Sequence, residues 1–304
     1  MNNKKNKKDF YFIVNSRFDE IAGKYYGGKN EEALTLLEQL QKEHGDEIGP
    51  WYMHMWFGLV KQNLNRDEEA KSHFLMALDG VEPEINGLCY LVILDNLAFC
   101  CCVLGEDEIG LQYYDRAGKV LSYYDGPEWA IARMMFHSGK GRCLLNLGRN
   151  DEALDAFSAA EREIPNIPHP EDISNGSRYQ NINIFKARAY HYSKDYDIAA
   201  NLFDSLDPSL MYEDDWHDYY FFYGKNEVMR HNYSHALEIF LQYKEWGISS
   251  EYIAESYTLM GIAYYKCENY VESKHCFQES MKHPADSDWV TDKNIEFLKD
   301  LEDI

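Results

Sequence analysis

Residues 141–165, GRCLLNLGRNDEALDAFSAAEREIP, contain the pattern that decides the fold. Gly141 stands twelve residues before Ala153, a Gly-Arg turn lies between them at 148–149, and Phe157 follows four residues after Ala153. Two antiparallel helices can approach closely only where one presents a glycine or alanine and a large ring on the other fills the space beside it. The stretch therefore predicts a helical hairpin that ends at its final proline.

The same pattern recurs along the chain. Seven small residues, called anchors here, follow one another at intervals of 37, 40, 43, 46, 37 and 37 residues: Ala33, Ala70, Gly110, Ala153, Ala199, Ala236 and Ser273. Four residues after an anchor stands Leu37 in the first case and an aromatic residue in the others: Phe74, Tyr114, Phe157, Phe203, Phe240 and Phe277. Twelve residues before the last six anchors stands another small residue: Gly58, Ala98, Gly141, Ala187, Gly224 and Gly261. Each anchor therefore marks one hairpin, numbered here repeat 1 to repeat 7, with a first helix A and a second helix B.

Turn and breaker residues predict the bounds of the repeats. Within each repeat a turn pair, often with glycine or asparagine, separates helix A from helix B, and prolines separate one repeat from the next. We expect a polar N-terminal tail at 1–9, the repeats at 10–284 and a loop at 165–177 between repeats 4 and 5. We expect residues 285–304 to form a helix that caps the last repeat.

The sequence resembles the tetratricopeptide-repeat (TPR) family over about residues 10–284, on these small, aromatic and turn positions. The resemblance implies an all-α fold, a right-handed superhelix of about seven helical hairpins followed by the capping helix. Every interval exceeds the family period of about 34 residues, which suggests longer helices and loops. Repeats of this length are similar to those of bacterial Rap-type receptors for signalling peptides. Because the family is an architecture with many partners, the likeness predicts protein or peptide binding without naming the partner.

The resemblance also implies which side chains line the concave face, because helix A of each hairpin lines it in the family. The positions fall 18, 15, 11, 8 and 7 residues before each anchor, and in repeats 2 and 3 they are mostly apolar, although Asp95 is among them. In repeats 4 to 7 four basic residues stand against two acidic ones, so a locally positive groove is expected. The candidate partner-binding residues are Arg142, Asn146, Asn181, Arg188, Tyr192, Phe221, Lys225, Tyr265 and Lys266.

These residue types suit an extended peptide. Arginine can bind a carboxylate through two parallel hydrogen bonds, and an asparagine amide can satisfy both a backbone donor and a backbone acceptor. Tyr192, Phe221 and Tyr265 would supply apolar anchors for the partner. An alternative from the same residues is that the charges pair with acidic neighbours on adjacent helices and merely keep the groove soluble.

The net charge limits the class of partner. The chain carries 30 lysines and arginines against 52 aspartates and glutamates, a net charge of −22. Such a field repels nucleic acid and attracts a basic protein or peptide. Three functions remain open: an adaptor or receptor that binds a peptide in its groove, an acidic neutraliser of a basic protein such as a nuclease toxin, and a peptide-responsive regulator.

Catalytic and cofactor motifs are missing from the sequence, so we expect no enzyme activity, no cofactor and no metal. It holds no zinc-protease helix, nucleophile elbow or dinucleotide fingerprint. Cys100, Cys101 and Cys102 would point about 100° apart on a helix and cannot converge on one ion, so they and Cys143 are expected to pack as small apolar residues. An odd number of cysteines, no export signal and no long apolar run favour a cytoplasmic protein without a membrane partner.

Overall fold

The computed structural model describes residues 2–45, 47–167, 173–284 and 287–302, without the side chains of 2–13, 173–175 and 213–214. Its described part contains fifteen α-helices and three short 3₁₀ turns, and no β-strand. Within the same part, no helix has the length and apolar composition needed to cross a membrane. The helices divide into two compact units, Met1–Arg149 and Asn150–Ile304, called here the N-terminal and the C-terminal unit. The fold is all-α, as the sequence predicts.

The N-terminal unit contains seven helices. They are α1 (Asn2–Tyr26), α2 (Asn30–His44), α3 (Pro50–Gln62), α4 (Asp67–Gly80), α5 (Gly87–Val103), α6 (Asp107–Leu121) and α7 (Ala130–Asn146). Helices α1 and α2, α3 and α4, and α5 and α6 pack as hairpins, which are repeats 1 to 3. A 3₁₀ turn, Pro127–Trp129, leads into α7, which is helix A of repeat 4 and packs on α5 and α6.

The C-terminal unit contains eight helices. They are α8 (Asn150–Glu163), α9 (Ile173–Tyr192), α10 (Tyr196–Asp204), α11 (Glu213–Met229), α12 (Tyr233–Trp246), α13 (Ile253–Lys266), α14 (Tyr270–Ser280) and α15 (Asp288–Asp300). Helices α9 and α10, α11 and α12, and α13 and α14 form the hairpins of repeats 5 to 7. Helix α9 also packs on α8 and on α11, and α11 packs on α13, so the A helices of this unit lie side by side.

The predicted packing of a small residue against a ring is present in both units. A Cβ atom at Gly58 would lie 2.6 Å from the ring of Phe74, and one at Gly224 would lie 2.6 Å from the ring of Phe240. Both rings are completely buried. Because only glycine leaves room for the ring at these positions, helix A approaches helix B closely within each hairpin.

The turn inside each repeat contains one residue in the left-handed backbone conformation, always five positions before the anchor. Its φ angle lies between 57° and 74° in Gly28, Asn65, Gly105, Gly148, Lys194, His231 and Glu268. In repeat 2, the Asn65 N–H donates to the Gln62 carbonyl at 2.9 Å and the Arg66 N–H donates to the Lys61 carbonyl at 3.0 Å. This paired bonding ends helix A and lets helix B begin a few residues later.

The ends of the chain and the predicted loop can be compared with the sequence-based bounds. Helix α1 extends from Asn2 through the segment expected as a polar tail. Helix α9 begins at Ile173, inside the loop predicted at 165–177, because the roughly 1 kcal/mol that a glycine costs within a helix is offset by packing on the 3₁₀ turn Pro208–Leu210. The start of that loop contains a 3₁₀ turn, Ile164–Asn166, and residues 168–172 lie outside the described residues. Helix α15 packs on α13 and α14 where a cap is expected.

Candidate functional site

The candidate residues of the C-terminal unit lie on α9, α11 and α13, on a surface called here the A-helix face. Arg188 on α9 forms an ion pair with Asp218 on α11, with Nη1 2.6 Å from Oδ2, and both side chains are at most 21% exposed. The Tyr252 hydroxyl donates to the other carboxylate oxygen of Asp218 at 2.5 Å. Arg188, Asp218 and Tyr252 therefore join three repeats through one largely buried carboxylate, 21% exposed.

Two further pairs continue this row of polar contacts. Lys225 Nζ on α11 lies 2.8 Å from Glu255 Oε1 on α13, and both side chains are about three-quarters buried. The Asn181 amide on α9 donates to Asp215 Oδ1 on α11 at 2.6 Å. The sequence also allowed these charges to pair with acidic neighbours on adjacent helices, and that is how Arg188 and Lys225 are arranged. Asp218 and Glu255 are the two acidic residues already counted in the predicted groove, so the structure pairs them with two of its cations.

Two of the cations of the A-helix face, Arg188 and Lys225, pack against aromatic rings. The Arg188 guanidinium lies 4.1 Å from the centre of the Phe222 ring, and Lys225 Nζ lies 5.4 Å from that of Phe221. Phe221 stacks on Tyr252 with ring centres 4.2 Å apart and is only 2% exposed. The expectation that Phe221 anchors a partner is therefore wrong for this structure, because its ring packs inside the protein and supports Lys225.

The exposed part of the A-helix face lies in the last turn of each helix, seven residues before the anchor. Tyr192 on α9 and Met229 on α11 are each 44% exposed. Lys266, at the same position of α13, is also exposed, with Nζ 5.8 Å from the centre of the Tyr265 ring. Tyr265 is half-buried and packs edge-on against Phe297 of α15. These ends of the helices offer a partner apolar and basic contacts beside the row of paired charges.

Two candidate residues belong to the N-terminal unit and not to the A-helix face. Arg142 on α7 places its guanidinium 5.0 Å from the centre of the Phe99 ring on α5. The Asn146 amide donates to Asp107 Oδ1, at the start of α6, at 2.9 Å. Both residues lie on the A helix of repeat 4, as the repeat pattern predicts, and both contact repeat 3.

One prediction about the cysteines is wrong. Cys102 on α5 and Cys143 on α7 are joined in a disulfide, with Cα atoms 6.2 Å apart, because the A helices of repeats 3 and 4 lie side by side. An oxygen of Asp107 lies within 4.8 Å of both sulfur atoms, so in the reduced form, with two free thiols, this would be the one group of three possible metal ligands in the described residues. Cys100 and Cys101 do pack in the core, and burial raises the pKa of their thiols to about 12 and about 11.

Several polar residues of the A-helix face were not among the candidates. Tyr252 lies at the start of α13, outside the projected positions, so the repeat offsets gave no signal for it. His191 on α9 is buried, its Nδ1 lies 3.0 Å from Asn226 Oδ1, and burial lowers its pKa to about 4. Glu227 is completely buried and binds Arg230, Asn232 and His235. Glu227 and its partners fix the turn of repeat 6 and do not face a partner.

Comparison with solved structures identifies the fold. No family model and no curated protein matches this sequence. The chain is similar to a tetratricopeptide-repeat protein from Parabacteroides merdae, with 15% identity, a TM-score of 0.59, and coverage of 95% of this chain and 98% of the other.

The quorum sensor NprR and the protein RapI show the same likeness. The apo quorum sensor NprR from B. thuringiensis matches with 14% identity, a TM-score of 0.66 and coverage of 94% and 80%, and NprR also matches as the complex with its cognate peptide NprX. The apo form of RapI matches with 12% identity, a TM-score of 0.66 and coverage of 95% and 85%. The chain therefore has the tetratricopeptide-repeat fold, with the Rap-type likeness that its long repeats predict.

Proposed function

We propose that this chain is a non-enzymatic TPR protein that binds an extended peptide segment of a protein partner on its A helices. The observation that carries the proposal is the A-helix face of the C-terminal unit, where exposed Tyr192, Met229 and Lys266 border a row of hydrogen-bonding side chains. The solved complex of NprR with its cognate peptide supports this use of a similar fold. Arg142 and Asn146 of α7 are proposed separately, as partner contacts on the N-terminal unit.

The paired charges make a specific contribution to binding. Arg188 uses Nη1 for Asp218, and its Nε is buried without a hydrogen-bond acceptor in the structure. A buried donor without an acceptor costs about 1–3 kcal/mol, and a partner would reach this atom only after the Arg188 side chain turns outward. Asn181, Lys225 and Tyr265 also have polar atoms on this face. A peptide backbone, which offers alternating donors and acceptors, suits such a mixed row better than a purely acidic segment does.

The test is a selection of random peptides displayed on phage against the full chain, followed by fluorescence-polarisation titration of the enriched peptides. The variant Tyr192→Ser/Met229→Ser removes the exposed apolar contacts of the A-helix face. We expect at least tenfold weaker binding, because interface energy concentrates in a few buried apolar contacts. The matched control is Leu241→Ser/Val271→Ser, which changes exposed apolar residues on the B helices α12 and α14.

Two results would contradict the proposal. Either no peptide is enriched over the unselected library, or the enriched peptides bind both double variants with the affinity of the wild type. Circular dichroism of each variant checks that the helices are intact, since all four side chains are more than 40% exposed.

The net charge of −22 favours a second candidate, a neutraliser of a basic protein that acts through the acidic surface. In that case the association rate would fall steeply between low and physiological salt, because long-range steering is screened beyond about 8–10 Å. The likeness to NprR and RapI favours a third candidate, a peptide-responsive regulator. A change in hydrogen exchange in regions remote from the bound peptide would distinguish that regulator from a passive adaptor.

A cytoplasmic location is part of the proposal. Thiols are kept reduced there, so Cys102 and Cys143 would be present as a dithiol unless the protein meets an oxidant. Counting free thiols in protein isolated under acid quenching measures which form is present.

A further inference from the structure

The N-terminal unit contains a pocket that the proposed function does not use. It lies between α5, α6 and α7, has a volume of about 320 Å³ and is lined mainly by apolar side chains, including Val92, Ala132 and Met135. Leu88 and Met135, which are 59% and 44% exposed, stand at positions accessible from solvent. A cavity of this size exceeds the space of a buried water and falls within the range of small-ligand sites.

One of the two carboxylates in the pocket lining, Asp95 of α5, is held in place by its neighbours. The hydroxyl of Tyr114 on α6 hydrogen-bonds to it. Tyr114 itself is buried, and a Cβ atom at residue 139 of α7 would overlap its hydroxyl, so Gly139 leaves the space that this hydroxyl needs. Residues from α5, α6 and α7 therefore fix the position of the Asp95 carboxylate among apolar side chains.

The charged residues that line the pocket are both acidic. Glu128, in the 3₁₀ turn before α7, is the second carboxylate of the lining, and none of the described lining residues is basic. The positive charge of Arg142 on α7 lowers the pKa of Asp95. Burial has the larger effect and raises this pKa to about 6. A charged Asp95 is consequently under-stabilised, and a ligand that brings a positive charge would relieve that cost.

We propose that this pocket binds a ligand with an apolar body and a positively charged amine, the amine pairing with Asp95 and the body lying among Val92, Ala132 and Met135. Such an amine occurs in a free aliphatic or aromatic amine and at the N-terminus or a lysine of a peptide. The inference is independent of the A-helix face, because every lining residue belongs to the N-terminal unit.

The test uses isothermal titration calorimetry with three probes of matched shape: 4-phenylbutylamine, 4-phenylbutanol and 4-phenylbutyrate. The amine should bind the full chain at least tenfold more tightly than the alcohol, and the carboxylate should bind more weakly than either. A second arm compares Phe-Leu-Gly-amide with its N-acetylated form. Tighter binding of the free peptide than of 4-phenylbutylamine assigns the site to a peptide end, and the reverse order assigns it to a small amine.

Three variants locate the site. Asp95→Asn keeps the shape of the side chain and should reduce the preference for amine over alcohol to less than threefold. Ala132→Phe fills the pocket from α7 and should abolish binding of all probes, which keeps the test valid if Asp95→Asn unfolds. The control Asp115→Asn removes a carboxylate of α6 that is 56% exposed, pairs with Lys140 and lies outside the pocket, and should bind like the wild type. Equal affinity for amine and alcohol in the wild type, or an unchanged preference in Asp95→Asn, would overturn the proposal.

Discussion

The two units build different surfaces on their A helices from the same hairpin. Between α5, α6 and α7 of the N-terminal unit an apolar pocket stays open, and Ala132 and Val92 are among the residues that line it. On α9, α11 and α13 of the C-terminal unit, the rings of Phe221 and Tyr252 stack on each other beside a row of ion pairs. The contrast teaches that the repeat fixes the hairpin, whereas residue size at a few A-helix positions decides whether a cavity remains.

The largest predicted effect concerns the disulfide, which only the N-terminal unit has among the described residues. Under oxidising conditions Cys143→Ser should lower the free energy of unfolding by about 4 kcal/mol, because the bond closes a loop between residues 41 positions apart and restricts the unfolded chain. Urea denaturation measures the difference, which should disappear with a reductant. Cys267→Ser, at an exposed cysteine outside the disulfide, is the control. Equal stability of wild type and Cys143→Ser under oxidation would mean that the bond does not form.

The second prediction tests whether the hairpin core is the same in both units. Gly58→Leu and Gly224→Leu should each lower the free energy of unfolding by about 3 kcal/mol, since the new side chain overlaps a buried ring in either unit. Gly23→Ala is the control: no atom lies within 4 Å of its Cβ position, and alanine should gain up to about 1 kcal/mol within α1. Thermal unfolding reports all three, and a neutral Gly224→Leu would show that the repeat register of the C-terminal unit is wrong.

The third prediction concerns a carboxylate in each unit. Burial raises the pKa of Asp95 to about 6, although Arg142 opposes the shift and Tyr114 hydrogen-bonds to the charged form. Because the folded-state pKa lies above the unfolded value, the charge costs stability as the pH rises from about 4 past about 6. Asp95→Asn should therefore raise the free energy of unfolding by about 3 kcal/mol near pH 8 and change it little near pH 4.

Asp218 of the C-terminal unit provides the opposite case. It binds both Arg188 and Tyr252, so Asp218→Asn should lower the free energy of unfolding near pH 8 by about 2 kcal/mol. Urea titrations of both variants at the two pH values measure the contrast. If both variants are destabilised near pH 8, the charge of Asp95 is stabilised by its surroundings as that of Asp218 is. The predicted difference between the two carboxylates would then be wrong.

The smallest predicted effect concerns the left-handed turn residues. The N-terminal unit uses glycine at Gly28, Gly105 and Gly148, whereas repeats 5 to 7 use Lys194, His231 and Glu268. A non-glycine residue pays about 1 kcal/mol or more for this conformation, so Glu268→Gly should stabilise the protein by about 1 kcal/mol and Gly105→Lys should destabilise it by a similar amount. Differential scanning calorimetry measures both. If Glu268→Gly instead lowers the stability, interactions of the Glu268 side chain outweigh the cost of its left-handed backbone conformation.

Part of this structure follows from the sequence. The spacing of anchors such as Ala199 and rings such as Phe240 predicts the hairpins, because close helix packing demands a small residue opposite a large one. The turn positions were also predictable, although nothing in the sequence marks Lys194 or Glu268 as left-handed. There the five-residue offset from the anchor, enforced by the packing of both helices, overrides the preference of the residue.

The candidate site was less predictable. The offsets placed Arg188 and Lys225 on successive A helices, and the structure agrees, but the spacing could not show whether a cation faces solvent or an aspartate on the next helix. The burial of Phe221 depends on Tyr252, which no repeat position identifies. The pocket around Asp95 likewise depends on the small side chain of Ala132, which looks like an ordinary packing position in the sequence.

The sequence by itself determined the all-helical repeat, its register and the strongly acidic charge, because these depend on local periodicity and composition. Only the tertiary structure decided which charges pair across repeats, which cysteines meet and where a cavity remains. Those features depend on distances between side chains more than 20 residues apart in the chain, such as Cys102 and Cys143, separated by 41 positions. A repeat pattern specifies that two helices pack, but the shape and charge of each contact are set by the individual side chains that meet there.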